Sequence, residues 1–538
     1  MADSEQAKSE GAVWTWVVLV ILPVLHLASA LILRTDGGPF WIWHAIDPSY
    51  FYLFNSVNLI NLATPEAVAH PGTPVHSIGA LVLLAVQGFA DADTITERVF
   101  ADPEAHLRAI STALYVINAA GLLAVGLAAR GALGGLMPAL LVQAGPFAST
   151  VIARHGLYVK PETFLVFAAL MLALVTLLAV RNDALERHRT GFAVAFGLVA
   201  GLGIATKLSA APLYVLPVFL LWGVRPLVIY AVASVVSFVF FTMPAIGAYG
   251  EFFSWIGQVG MGSGHFGGGE QTLIDLEKYP RYVMKMASRP VLSVPIVFAA
   301  LALLEAWRRG RKGRPVPRLV MRALGGVALA QMLQILIVAK HPSAHYLIPN
   351  IVLSGLTVAL FYRVVSELAN ASARVRFWSR EVVALIFGVY LLVQGAAIVA
   401  QDFELREWRS DAATVDNSKF GQCAQVYFQF ASDPTYALLL ANHITNGKLA
   451  DRIAPHVAPN HLWFDVVSGT FRDLFGETDM LDALAEYPCA FFRGTDRSIM
   501  ETYLGENVPG ITFSDTCSTD VEAVLTTGVD CQGNLTGK

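Results

Sequence analysis

Residues 291–338 read VLSVPIVFAALALLEAWRRGRKGRPVPRLVMRALGGVALAQMLQILIV. Two apolar runs, near 291–305 and 320–339, flank a linker that carries Arg308, Arg309, Arg311, Lys312, Arg314 and Arg318 with no acid among them. About 20 apolar residues suffice for a helix to cross the hydrocarbon core of a bilayer. Backbone polar groups find no water there, so each must be satisfied inside the segment, as a helix does. Short linkers rich in Lys and Arg stay on the cytoplasmic side. The stretch therefore predicts two membrane helices joined by a cytoplasmic turn.

The same pattern continues in both directions. Further apolar runs lie near 13–33, 110–129, 132–153, 163–180, 191–206, 209–223, 226–244, 346–362 and 381–400. Together they predict an α-helical polytopic membrane protein with about 11 transmembrane helices. The first run follows MADSEQAKSEGAVW, a polar start with one lysine. A cleaved signal has a basic start and a shorter apolar core, so this run reads as a retained helix. With the N-terminus in the cytoplasm, counting spans places Arg130, Arg225, the cluster Arg181, Arg187 and Arg189, and the 363–380 linker all inside. From Thr35 through Arg108, by contrast, there are eight acids and two basic residues. This first outer loop, 35–108, contains an apolar stretch at 78–90 that is short for a span and suits the membrane interface. A second outer loop is expected at 245–289. The first 400 residues thus form a transmembrane domain of the inner (plasma) membrane, and residues 401–538 a periplasmic soluble α/β domain.

Composition agrees with this division. The chain is 55% hydrophobic and 14% charged, where soluble proteins carry roughly 25% charged residues. A net charge of −4 gives no reason to expect a nucleic-acid partner. Its four cysteines, Cys423, Cys489, Cys517 and Cys531, all fall in the C-terminal domain. They match no metal-binding spacing and suggest two disulfides in an oxidising compartment, with three pairings open.

Polar groups at the predicted outer ends of the helices are the candidates for chemistry. Asp47, in WHAIDPSYFY beside Tyr50, is placed to act as a general base with a pKa raised by partial desolvation. Asp-Pro is also good helix-capping chemistry. His70 and His76 flank PGTPV and could hold a divalent metal ion if a third ligand joined them. ARHGLYVKPETF gathers Arg154, His155, Lys160 and Glu162 between two apolar runs, where charge is costly unless it meets water or a counter-charge. Lys207, in GIATKLSAAP, and Lys340, His341, His345 and Tyr346, in KHPSAHY, recur at the same level. Such cations could hold a phosphate or serve as anchors at the bilayer surface. The glycine-rich segment GMGSGHFGGGEQ around His265 reads as a mobile loop over a site.

In order and sidedness these motifs resemble the class C glycosyltransferases of membranes, the group of protein O-mannosyltransferases and the lipid A aminoarabinose transferase. Asp47-Pro-Ser-Tyr50 resembles the acid and tyrosine that open the family's first outer loop. His70-Pro-Gly-Thr-Pro74 resembles its proline-containing element. Lys160-Pro161-Glu162 stands where the family has Asp-Pro, with Glu in place of Asp. Thr206-Lys207 matches a threonine-lysine pair, and Lys340 through Tyr346 a cation and tyrosine before a later helix. The resemblance covers roughly residues 10–360 and leaves the C-terminal domain unmatched. It implies an inverting transfer of a hexosyl or pentosyl group from a polyprenyl-phosphate donor to a cell-envelope glycan, lipid or protein. Asp47 would be the base, and Arg154, Lys160, Lys207 and Lys340 would stabilise the departing phosphate. A transporter or flippase, or a polymerase, of lipid-linked glycans is the alternative. Transporters, however, usually carry internal repeats and polar groups at the membrane midplane, and neither is evident in this sequence.

Overall fold

A computed structural model describes residues 2–43, 49–66, 68, 71–262, 272–368, 373–466, 468–507 and 512–536. Among them, nine helices are long and apolar enough to cross a membrane: Val13–Asp36, Pro103–Gly134, Pro161–Val180, Arg189–Thr206, Val224–Met261, Pro290–Arg311, Arg318–Val338, Ala344–Leu368 and Leu385–Phe420. The chain is an α-helical polytopic membrane protein with a C-terminal domain built on a small sheet.

Two of the eleven apolar runs are not continuous helices, and prolines and glycines account for both. Residues 132–153 fold as a helix Leu136–Gln143, a turn at Gly145–Phe147 and a second helix starting at Thr150. Pro146 has no N–H for a helical ladder. Gly145 also lies against the Ala344–Leu368 span, where an added Cβ would sit 2.2 Å from the carbonyl oxygen of Val352. The run at 209–223 folds as a 3₁₀ segment, Leu208–Val215, with Pro212 inside it, followed by Leu216–Leu220 with Pro217 near its start. The expected outer loop at 245–289 is partly helical, over Tyr249–Met261 and Tyr279–Ala287.

The described chain forms two compact units, one comprising 1–31, 68–75 and 112–399, the other 32–67, 76–111 and 400–538. In the first, the basic linkers gather at the same helix ends. Arg363 donates to the Leu133 carbonyl (3.3 Å), and the Arg181 guanidinium packs beside Gly131. Arg322 Nε donates to Phe219 O (2.7 Å), and Arg189 reaches Trp222 O (3.4 Å). Satisfying last-turn carbonyls with cations suits helix C-termini. Deeper in this unit, Gln331 exchanges hydrogen bonds with Asn350 (3.1 and 3.0 Å) and accepts from Thr357 (2.9 Å). These are uncharged interhelical bonds of the kind that hold membrane helices together.

The second unit contains a five-stranded sheet of β1 (Ala424–Tyr427), β2 (His461–Asp465), β3 (Thr470–Arg472), β4 (Ala490–Gly494) and β5 (Ala523–Thr527), in the order β3-β2-β1-β4-β5. β1 runs parallel to β2 and β4, while β3 and β5 lie antiparallel at the edges. The helix Pro434–Ile444, capped by Asp433, lies between β1 and β2 in the chain. Register decides the cysteine pairing. Ala424 faces Ala490, so the preceding residues, Cys423 and Cys489, meet at a Cα–Cα distance of 4.6 Å and form one disulfide. Cys517 and Cys531 form the other. The first bridge closes a separation of 66 residues, and its loss is expected to destabilise the domain by about 2–5 kcal/mol. Thermal melts of Cys423→Ser against wild type, each with and without reductant, check this. Reductant should lower the wild-type transition toward that of the variant.

This unit also holds part of the first loop. Trp43, buried, packs on Phe430 and Tyr436 with centroids 5.0 and 5.8 Å apart. Its backbone N–H donates to Ser432 Oγ (3.3 Å). Ion pairs Lys448–Glu66, Arg452–Asp93 and Arg406–Asp36 also link first-loop residues to the C-terminal residues of this unit. Exposed pairs contribute little each, and the buried indole adds apolar packing to them. Tyr50 donates to Glu104 Oε1 (3.0 Å), and Glu104 also accepts from the Phe40 N–H (2.9 Å).

Candidate active site

The polar groups that the apolar runs leave at their ends converge in the first unit. Lys160 is the N-cap of the Pro161–Val180 helix, with extended backbone, and Pro161 occupies the first helical position. Proline is favoured there because its missing N–H would be unpaired in any case. Glu162 follows in the first turn, where the helix dipole favours a carboxylate. Thr163 Oγ1 donates to the Tyr158 carbonyl (2.6 Å) and fixes the loop that precedes the helix. From the next membrane-length helix in the chain, Arg189–Thr206, Lys207 enters as the C-cap, its backbone extended and bridged to Pro71. The turn Ala344–Leu347 supplies His345 and Tyr346 just ahead of Ile348–Leu368.

These elements place two ammonium groups around one carboxylate. Lys160 and Glu162 are each 1% exposed and Lys207 3%. Lys207 Nζ donates directly to Glu162 Oε1. His345 Nε2 stands 3.9 Å from the same oxygen. Among the described residues, Glu162 Oε2 has no hydrogen-bond donor. Lys160 Nζ donates to His155 Nδ1 (2.8 Å), and burial together with the Lys160 charge holds His155 far below its usual pKa, so the ring is neutral and can accept. The His155 and His345 rings lie 5.0 Å apart. Lys207 lies over the Tyr346 ring at 4.7 Å and Lys160 near the Tyr158 ring at 5.1 Å. Burying two ammonium groups with one carboxylate is costly unless further negative charge joins them. Among the described residues the cluster therefore brings two ammonium groups to one carboxylate, a basic environment at helix ends.

Of the residues expected from sequence, Lys160, Glu162, Lys207 and Tyr346 come together here, with His155 and His345 beside them. Arg154 sits next to His155 in the last turn of Thr150–Gly156. Lys340 instead donates to the Gly260 carbonyl (2.6 Å), and the His341 N–H caps Val338 O (3.0 Å). Tyr50 belongs to the second unit, with Glu104 as its partner. Asp47, His70 and His265 lie outside the described residues. His76 is described, buried in the second unit beside the Tyr52 ring at 5.3 Å. Among the described residues no group of three metal-ligating side chains occurs. Tyr158, Glu104 and Trp43 were not singled out from sequence. Glu104 carries one signal, an acid at the end of an apolar run, but nothing in the chain names its partner.

No protein-family model matches the sequence, and no curated protein matches it. Two solved structures of ArnT from Cupriavidus metallidurans are similar to the chain. One, bound to undecaprenyl phosphate, is 12% identical with a TM-score of 0.47 and the other, in the apo state, is 14% identical with a TM-score of 0.48. Each similarity covers 94% of this chain and 97% of that structure.

Proposed function

We propose that this protein is an inverting membrane glycosyltransferase that moves a sugar from a polyprenyl-phosphate donor to an acceptor outside the cytoplasm. The observation that carries the reading is the burial of Lys160, Glu162 and Lys207 together at helix ends. A lipid phosphate fits such a place, its tail in the bilayer and its charged head against Lys160 and Lys207. The buried charges lie at helix ends, whereas a transporter usually keeps such groups at the midplane.

In the reaction, the acceptor hydroxyl attacks the anomeric carbon and gives its proton to Asp47. The bond between that carbon and the phosphate oxygen breaks, and polyprenyl phosphate leaves with the negative charge. Lys160 and Lys207 meet that charge as it develops, in surroundings where electrostatic interactions are strong. Asp47 lies between two fixed neighbours in the sequence, Trp43 in its aromatic cage and Tyr50 on Glu104. The test is transfer by the purified protein in detergent, supplied with a panel of polyprenyl-phosphate sugars and envelope acceptors. Release of polyprenyl phosphate coupled to a glycosylated product supports the reading. Failure with every donor, together with movement of a lipid-linked glycan across vesicles, would replace it with transport.

Trp43 yields a prediction of its own. Displacing a catalytic group by about 1 Å can cost ~100-fold in rate, so Trp43→Ala is expected to lower kcat by ~10–100-fold with little change in donor KM. Trp43→Phe, which still fills the cage, should restore most of the rate.

A further inference from the structure

The C-terminal domain holds a cavity that the proposed transfer does not use. Its volume is about 310 Å³, and its walls include Asn442, His443, Asn446, Trp463, Arg472 and Phe475. Ligand pockets run from ~300 to 1,000 Å³, so this one has room for a single sugar ring rather than an extended chain. Two amides and an imidazole are groups that both give and accept hydrogen bonds, as a ring of hydroxyls requires. Asn442 spends its N–H on the Leu474 carbonyl (3.3 Å), while its buried Oδ1 has no hydrogen-bond partner among the described residues. A buried oxygen in that state costs free energy that a donor would recover.

Charge narrows the ligand further. Arg472 is engaged by two carboxylates, Asp465 at 3.5 Å and Glu477 at 2.9 Å. Asp473, also on the wall, adds a third acid, with Oδ1 accepting from the Phe475 and Gly476 N–H groups (2.7 and 2.8 Å). His443 Nε2 is 3.6 Å from Asp465 Oδ2. Burial and the Arg472 charge lower the His443 pKa, which leaves the ring neutral. With two carboxylates on the Arg472 guanidinium and a further acid, Asp473, on the wall, the local charge disfavours an anion. Phe475 is 70% exposed at the rim, an aromatic surface beside polar groups that suits the apolar C–H face of a sugar. We infer that this pocket binds an uncharged sugar ring, held by Asn442, His443 and Asn446 and covered by Phe475.

The test is equilibrium binding to the full-length protein in a detergent without a sugar head group, with no donor present. The probes are methyl glycosides of uncharged hexoses and pentoses, followed by saturation-transfer NMR, with a uronic acid as the anionic control. Saturable binding is expected for at least one uncharged glycoside, weakened at least ~10-fold, about one hydrogen bond's worth, by His443→Ala and by Phe475→Ala. The uronic acid should bind less well than its uncharged counterpart. Absence of saturable binding by every uncharged glycoside overturns the inference, as does undiminished binding by both variants or equal binding of the uronic acid. Because the measurement needs no transfer, its outcome is independent of whether the proposed reaction is correct.

Discussion

Sugar transfer by the Asp47→Asn protein is expected to fall at least ~100-fold, the low end of what a positioned general base contributes. The asparagine keeps the shape of the side chain and removes its capacity to take a proton. The loss should therefore fall on kcat, while donor binding, governed by the phosphate and tail, stays near wild type. Steady-state kinetics with a saturating acceptor separate the two. Equal rates in the two proteins would move the base elsewhere, with Glu162 the next group to examine.

Lys207→Met should act on stability and catalysis together. It leaves Glu162 buried without its ammonium partner, and breaking a buried pair on one side costs about 3–5 kcal/mol. A clear fall in the melting temperature is expected in detergent. Replacing both partners, as Glu162→Met with Lys207→Met, removes the stranded carboxylate and, with Lys160 still hydrogen-bonded to His155, should recover part of that stability. Transfer should not recover with it, because the ammonium that meets the leaving phosphate is still missing, a loss of ~10²–10³-fold in rate for one such group. If the double variant recovers both stability and rate, Lys207 serves the fold alone.

The helices were legible because lipid leaves a chain few choices, and every long apolar run is matched by a helix or a broken helix. The breaks were harder to see. Pro146, Pro212 and Pro217 stand in plain view, yet mean hydropathy scores them inside their runs and passes over the missing N–H groups. The Lys160, Glu162, Lys207 and Tyr346 cluster could be read from sequence because each residue ends or begins an apolar run, and helix ends at one level meet. Lys340 shares that position in the sequence but bonds to Gly260 instead, since its placement depends on a helix, Tyr249–Met261, inside what the sequence presents as an outer loop. The partners of Trp43 and the pairing of Cys423 with Cys489 were out of reach. Both follow from sheet register and packing across hundreds or tens of residues, and no local pattern encodes them.

The cage around Trp43 sets an order of events in the life of the chain. Trp43 and Ser432 are 389 residues apart in sequence, so a ribosome adding ~5–20 residues per second needs roughly 20–80 s to travel from one to the other. Throughout that interval the first loop has been made and its anchor has not. The nascent protein is thus a bundle of helices whose Trp43 has no cage until the C-terminal domain has been synthesised, oxidised and folded. A quality-control step that senses completion of that domain would also sense completion of the anchor, and premature termination would yield an inserted but inactive chain.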